Sequence, residues 1–183
     1  MSLQHGLPVS GPQGGPPAPF DAEFRRSVRE FLDRGFAERK GIGPSRLGRM
    51  ATGDPGFVRE CIGLGADVQI DTADAVRLLI GKGPFRARFC RELELFMELT
   101  GAKPWVIGWR SVRNAAFVQR LQRGASPYLR TADGVRYWMY GQLNRGQRRA
   151  VFAAVPGTLP LGPTATDCPA ASADRRVKAF HSQ

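Results

Sequence analysis

Histidines, cysteines and long apolar runs are scarce in this 183-residue chain. The two histidines, His5 and His181, lie in terminal segments of loop composition, which removes the usual general base and metal ligand from any folded pocket. The three cysteines are odd in number and far apart, so we expect neither a disulfide framework nor a cysteine metal pair. No carboxylate pair or serine–histidine set points to catalysis. We therefore expect no enzyme, no metal and no cofactor.

The sequence also has no long apolar run and relatively few acidic residues. No run approaches the roughly 18 apolar residues of a spanning helix, and residues 1–20 lack the apolar core of a secretory signal. These absences predict no membrane partner and a cytoplasmic location. In contrast, 27 Lys and Arg stand against 16 Asp and Glu, a formal net charge of +11. Such an excess indicates a polyanionic partner.

Both ends of the chain are rich in glycine and proline, which break helices and strands. Residues 1–18 are predicted to form a disordered arm. Residues 142–183 are predicted to form a basic, largely disordered tail, with at most a short helical turn near residues 148–153.

The sequence between these ends repeats itself. Three blocks recur in the same order at shifts of 65, 60 and 59 residues, namely Pro19–Val28 as Pro84–Leu93, Pro44–Val58 as Pro104–Val118, and Thr72–Arg77 as Thr131–Arg136. The repeat predicts two tandem copies of one unit, each a small domain: unit 1 (residues 19–81) and unit 2 (residues 84–141).

Each unit has the pattern of a helical domain. Phe20, Phe24 and Val28 lie four residues apart, on one face of a helix, and unit 2 repeats the stripe. Two short helices should follow, and then a last helix capped by Thr72 or Thr131 with an aspartate in its first turn. We therefore expect an all-α fold of two tandem helix-turn-helix units with flexible ends.

Gly48 and Gly108 fall where the two short helices of each unit should cross closely. Apolar or small residues at fixed offsets would pack around each crossing, namely Leu47, Ala51, Val58 and Cys61 in unit 1 and Ile107, Ser111, Val118 and Leu121 in unit 2. With this pattern each unit resembles the phage-repressor-like (lambda repressor-type) helix-turn-helix DNA-binding proteins. The resemblance departs at the turn, where the family usually has a glycine: unit 1 has Gly53 one position late, and unit 2 has Val112-Arg113.

The resemblance implies that the second short helix enters the major groove of duplex DNA. In unit 2 it would present side chains suited to base edges and thymine methyl groups, flanked by two further arginines: Asn114, Ala116, Gln119, Arg120, Arg123, Arg110 and Arg113. In unit 1 it would present Arg59 among two acids and a glycine, with Arg46 and Arg49 close enough to touch phosphates.

The charge is divided in the same way. Unit 1 holds ten Lys and Arg against ten Asp and Glu, whereas unit 2 holds ten against four and residues 142–183 hold six against two. Because DNA affinity grows with the phosphate charges neutralised, unit 2 is expected to be the main DNA reader.

The sequence thus predicts a bacterial, nucleoid-associated transcriptional regulator that recognises specific double-stranded DNA. Two alternatives stay open: a protein–protein adaptor that contacts RNA polymerase or another regulator through unit 1, and a nucleic-acid packaging protein without base preference. Homodimerisation is also open. The aromatic residues of unit 2 are expected in the core or in the interface between the two units rather than as stacking platforms for single strands; these are Trp105, Trp109, Tyr128, Tyr137, Trp138 and Tyr140.

Overall fold

Helices follow one another in the order that the repeat predicts. The computed structural model describes residues 17–37 and 42–155, and over these ranges the fold is all-α, as expected. Its helices are α1 (Phe20–Ala37), α2 (Pro44–Thr52), α3 (Phe57–Arg59), α4 (Ile70–Leu79), α5 (Phe85–Thr100), α6 (Pro104–Val112), α7 (Phe117–Gln122), α8 (Leu129–Gln142) and α9 (Arg145–Ala154). Residues 1–16 of the predicted arm and the tail beyond residue 155 lie outside these ranges. Within them, no helix combines the length and apolarity needed to cross a membrane.

The apolar stripes of α1 and α5 lie in the core. Phe20, Phe24 and Val28 are almost completely buried, and the equivalent side chains of unit 2 are buried with them. Gly101, with a φ of +67°, ends α5 in the left-handed conformation that favours glycine. The stripe that the sequence indicates is therefore the face by which each long helix packs.

The crossing of the two short helices depends on glycine, as the sequence predicts. A Cβ on Gly48 would lie 2.5 Å from the backbone oxygen of Asp54, and a Cβ on Gly108 would lie 2.2 Å from that of Asn114. Both distances are far inside van der Waals contact, and the opposing atom is backbone, which cannot swing away. The predicted apolar contacts around the crossings are buried or partly buried.

One extra residue in unit 1 explains why the repeat shift falls from 60 to 59. Helix α3 continues without a break as a π-helical turn (Glu60–Leu64), a form that holds one more residue than α-helix. Cys61 and its counterpart Leu121 are both buried before the insertion, and Gly65 and Gly124 both adopt positive φ after it. The insertion is thus absorbed locally, and the helices beyond it keep their equivalence.

The two units share one hydrophobic core instead of packing as separate bodies. Their long helices are capped reciprocally. Asp74 on α4 accepts hydrogen bonds from the backbone N–H groups of Phe85 (2.6 Å) and Arg86 (3.0 Å) at the start of α5. Asp133 on α8 accepts from Phe20 (2.6 Å) and Asp21 at the start of α1. Each carboxylate therefore stabilises the positive end of a helix in the other unit.

The structure corrects the prediction that Thr72 and Thr131 cap the last helix of each unit. Helices α4 and α8 begin at Ile70 and Leu129, so Thr72 and Thr131 lie inside them, and the N-cap residues make no side-chain cap bond. The capping aspartates serve a distant helix, not their own. Burial raises the pKa of both Asp74 and Asp133, and the backbone N–H donors partly offset this rise.

Two buried arginines strengthen the same junction. Arg77 donates from Nε to the Gly83 oxygen (2.6 Å) and lies 3.8 Å above the centre of the Phe85 ring. Its counterpart Arg136 donates to the Ala18 oxygen (2.9 Å) and lies 3.7 Å above the Phe20 ring. Arg136 also forms a buried ion pair with Glu92 at 2.7 Å.

The start of the predicted tail is helical, which corrects the expectation of a largely disordered segment for residues 142–155. Asn144 and Gln147 form a reciprocal capping box that starts α9. Val151 and Val155 are buried, and Phe152 stacks on Tyr140 with ring centres 5.4 Å apart. The apolar spacing of Val151, Phe152 and Val155 after the Asn144 N-cap is the signal that indicates this helix.

Substituting the crossing glycines should destabilise the fold. We expect Gly108→Ala to lower the free energy of unfolding by about 2 kcal/mol or more, and Gly48→Ala to lower it as well, because backbone must move to admit the methyl group. Urea unfolding would measure both. Gly134→Ala is the control: no atom lies within 4 Å of its Cβ position inside α8, so alanine should raise stability by about 0.5–1 kcal/mol. Equal effects at all three positions would contradict the close crossing.

Removing the reciprocal caps should also cost stability. We expect Asp74→Ala and Asp133→Ala each to lower the free energy of unfolding by about 0.5–2 kcal/mol, since two backbone N–H groups lose their acceptor. Asp33→Ala is the control, because this exposed residue lies on α1 away from its capped end. If Asp33→Ala were as costly as the other two, the caps would not hold the units together.

Candidate nucleic-acid interface

The turn between the short helices has the same backbone conformation in both units despite different residues. Gly53 in unit 1 has a φ of +80°, and Arg113 at the equivalent position of unit 2 has a φ of +56°. Arg113 is the one non-glycine residue with positive φ in the described ranges. The missing turn glycine of unit 2 therefore does not change the motif; an arginine occupies a strained conformation that costs free energy.

The residues that follow the turn initiate α7. The Oδ1 atom of Asn114 accepts a hydrogen bond from the Ala116 N–H at 3.1 Å, and the Asn114 carbonyl accepts from the Phe117 N–H at 3.0 Å. Asp54 makes the equivalent side-chain bond to Gly56 in unit 1. Asn114 therefore shapes the turn, and a bidentate contact with adenine would have to share the Oδ1 atom that already accepts the bond from the Ala116 N–H. Ala116 is exposed at the start of the helix.

The outer face of α7 is basic and open to solvent. Gln119, Arg120 and Arg123 are exposed, as is Arg110 at the end of α6. Among the described residues, none of these three arginines pairs with a carboxylate. Arg86 from α5 donates hydrogen bonds to the Leu121 oxygen at 3.0 Å and the Ala125 oxygen at 3.2 Å, which fixes the end of α7. The arginines thus project from a rigid support.

The equivalent face of unit 1 has the opposite character. The predicted contacts Arg46, Arg49 and Arg59 are all exposed. However, Asp54 and Glu60 occupy the positions of Asn114 and Arg120, and Gly53 occupies that of Arg113. Residues 53–63 of unit 1, from the turn to the second short helix, therefore combine one arginine with two carboxylates, whereas residues 113–123 of unit 2 carry three arginines and no carboxylate.

The aromatic residues of unit 2 divide between the core and the surface. Tyr140 is buried, and Trp138 packs edge to face on Phe96 with ring centres 5.7 Å apart, as expected. The expectation is wrong for the other four: Trp105 is 56% exposed and Trp109 48% exposed, and Tyr128 and Tyr137 are also exposed. Unit 1 has polar Ser45 and Arg49 at the two tryptophan positions. Polar residues at these positions of unit 1 indicate that the corresponding face of α6 points toward solvent.

One exposed tryptophan contacts the turn arginine. The guanidinium of Arg113 lies 5.9 Å from the ring centre of Trp109, within the range of a cation–π contact. The two tryptophans lie four residues apart on α6, so they form one ridge beside the strained turn.

A shallow cleft of about 190 Å³ opens beside α7. Its polar lining includes Asn114, Arg120, Ser126, Tyr128 and Thr131. The sequence alone did not predict Ser126 or Thr131 at this surface, because both residues come to lie beside this cleft only when the chain folds. In the described ranges, no group of three or more His, Cys, Asp or Glu could hold a metal ion.

Comparison with known proteins gives no relative: no family model, no curated protein and no solved structure matches the chain. The resemblance to repressor-type proteins therefore stays a prediction.

The strained turn offers a test that separates stability from binding. We expect Arg113→Gly to raise the free energy of unfolding by about 0.5–1 kcal/mol, because glycine adopts positive φ without the side-chain penalty. The same variant should weaken nucleic-acid binding, because a cation is lost from the basic face. Thermal unfolding measures the first effect and a gel shift the second. Gly53→Ala is the matched control and should lower stability; if Arg113→Gly were also destabilising, the turn would not be strained.

Proposed function

We propose that the chain is a sequence-specific double-stranded DNA-binding transcriptional regulator with unit 2 as its main DNA reader. The observation that carries the proposal is the set of arginines on α6 and α7 that pair with no carboxylate in the described part of the chain, held by a glycine crossing that permits only one arrangement of the two helices. Gln119 and Arg120 are the proposed base readers, and Arg123 with Arg110 and Arg113 the proposed phosphate contacts.

The rigidity of this surface supports DNA over a flexible polyanion. Arg86 fixes the end of α7, Asn114 fixes its start, and the close backbone contact at Gly108 fixes its angle to α6. With the helices already held, binding has to order the arginine side chains but not the backbone, which favours shape-specific recognition of a groove. A packaging protein without base preference needs positive charge but no such fixed geometry.

An adaptor function is the second candidate, and a specific observation favours it. Leu78 is 64% exposed and Leu79 41% exposed on α4, and unit 1, which contains this helix, has no net charge. Exposed apolar side chains on a neutral unit suit a protein partner such as RNA polymerase or another regulator. A gel shift with random genomic duplex separates the candidates, since an adaptor should give only weak association that disappears with salt.

Binding by the proposed surface should depend steeply on salt. The three arginines proposed to contact phosphates predict a slope of about −3 in a plot of log K against log salt concentration, since each contact contributes about −0.9. Fluorescence anisotropy with a duplex target between 50 and 200 mM salt, the range of the test, measures the slope. A flat plot would contradict the phosphate contacts.

Base reading should reside on α7. We expect Arg120→Ala and Gln119→Ala each to weaken binding by about 1–3 kcal/mol and to relax base preference, because a base contact is lost. Selection from a random duplex library measures both effects. Glu60→Ala at the position equivalent to Arg120 is the matched control and should leave preference unchanged. If the control relaxed preference and Arg120→Ala did not, unit 1 would be the reader.

A further inference from the structure

Several pairs of equivalent residues in the two units contact each other directly. The Phe20 and Phe85 rings lie 4.6 Å apart between centres. Gln69 and its counterpart Tyr128 form an antiparallel bridge. A position that touches its own equivalent must lie on or near a two-fold axis.

The hydrogen bonds around that bridge are reciprocal. The Ile70 N–H donates to the Pro127 oxygen and the Leu129 N–H donates to the Val68 oxygen, both at 2.8 Å. The reciprocal aspartate caps and arginine contacts described above follow the same rule, because each contact made by unit 1 has an equivalent contact made by unit 2. When residue i contacts j and the counterpart of j contacts the counterpart of i, the interface has the isologous form of a two-fold homodimer. One chain therefore contains the arrangement that two chains form in a symmetric dimer.

The approximate two-fold relates the two helix-turn-helix motifs as well. In each unit the second short helix ends a few residues before the bridge, at Leu64 in unit 1 and Gln122 in unit 2. Arg25 and Arg86, on the long helices, tie the segment after each short helix through the Ala66 and Ala125 oxygens. The two motifs are thus fixed on either side of one axis, the arrangement by which dimeric regulators meet two half-sites of a duplex.

The chemistry of the two motifs breaks this symmetry. Side chains that meet at the axis already differ in charge, since Glu23 of α1 pairs with its own equivalent, Arg88 of α5, at 2.5 Å. On the motif surface, the acids Asp54 and Glu60 oppose any close approach to base edges by unit 1. The arginines Arg46 and Arg49 on α2 remain exposed and suit phosphate oxygens instead.

We propose that one chain binds two unlike half-sites of a single duplex, with α7 reading bases in one and α2 contacting the phosphate backbone of the other through Arg46 and Arg49. This inference rests on the proposed function and adds the form of the target: a duplex without dyad symmetry, occupied by one copy of the protein.

The double variant Arg46→Ala/Arg49→Ala tests the second half-site in the full-length protein. We expect its salt slope to be less steep by about 2, because two phosphate contacts are lost. Its base preference should be that of the unaltered protein. Its hydroxyl-radical footprint should lose protection on one side, about one helical turn from the base-reading half. Native mass spectrometry should find one chain per duplex before and after the change.

Arg26→Ala/Arg91→Ala is the matched control, because it removes two exposed arginines at equivalent positions of α1 and α5 that pair with carboxylates of their own helices. This control should keep both the slope and the footprint. An unchanged slope and footprint for the Arg46/Arg49 variant, or two chains per duplex, would overturn the inference and leave the proposed function standing. Failure of the unaltered protein to bind any duplex would overturn both.

Discussion

The close approach of the Gly108 Cα to the Asn114 carbonyl is the contact on which the basic surface depends. With backbone against backbone, neither partner has a side chain that can rotate to relieve a larger residue. The two short helices can therefore cross at only one angle, and this angle fixes the positions of the arginines at the end of α6 and along α7 relative to each other. The strained backbone of Arg113 follows from the same constraint, since the chain must reverse within a few residues. Arginine at this position costs stability relative to glycine and places a cation beside the Trp109 ring.

Much of this fold could be predicted from the sequence, because its strongest signals are local. The phenylalanine stripes, the crossing glycines and the three repeated blocks each follow from spacing along one helix or one unit. The cross-unit caps could not be predicted in the same way. In a sequence, an aspartate near the start of a helix looks alike whether it caps its own N-terminus or another one, and the N–H groups that Asp133 binds lie 113 and 112 residues away. The exposure of Trp105 and Trp109 was not predicted either, because a large apolar side chain is usually assigned to the core. Only the comparison with the polar counterparts Ser45 and Arg49 indicates that these positions face solvent.

The two units illustrate how a shared frame can carry different surfaces. Reciprocal caps, stacked phenylalanines and buried arginines have equivalents in both halves, because both must fill the same core from opposite sides. Ser27 and its counterpart Glu92 are both buried but differ in charge, so even the core is not fully matched. Divergence is greatest at exposed positions, where packing imposes no complementarity. The neutral charge of unit 1 and the excess on unit 2 are therefore compatible with almost identical helix arrangements.

The π-helical turn of unit 1 has a consequence for any attempt to give both halves the same specificity. The wider turn absorbs the added residue, so the chain matches its counterpart again at Gly65, but residues 60–64 hold one side chain more than the equivalent stretch of unit 2. Point substitution could not place the arginines of unit 2 on unit 1 one for one, because no single residue of the π-helical turn corresponds to Arg123. Identical recognition by both halves would first require deleting one residue of that turn.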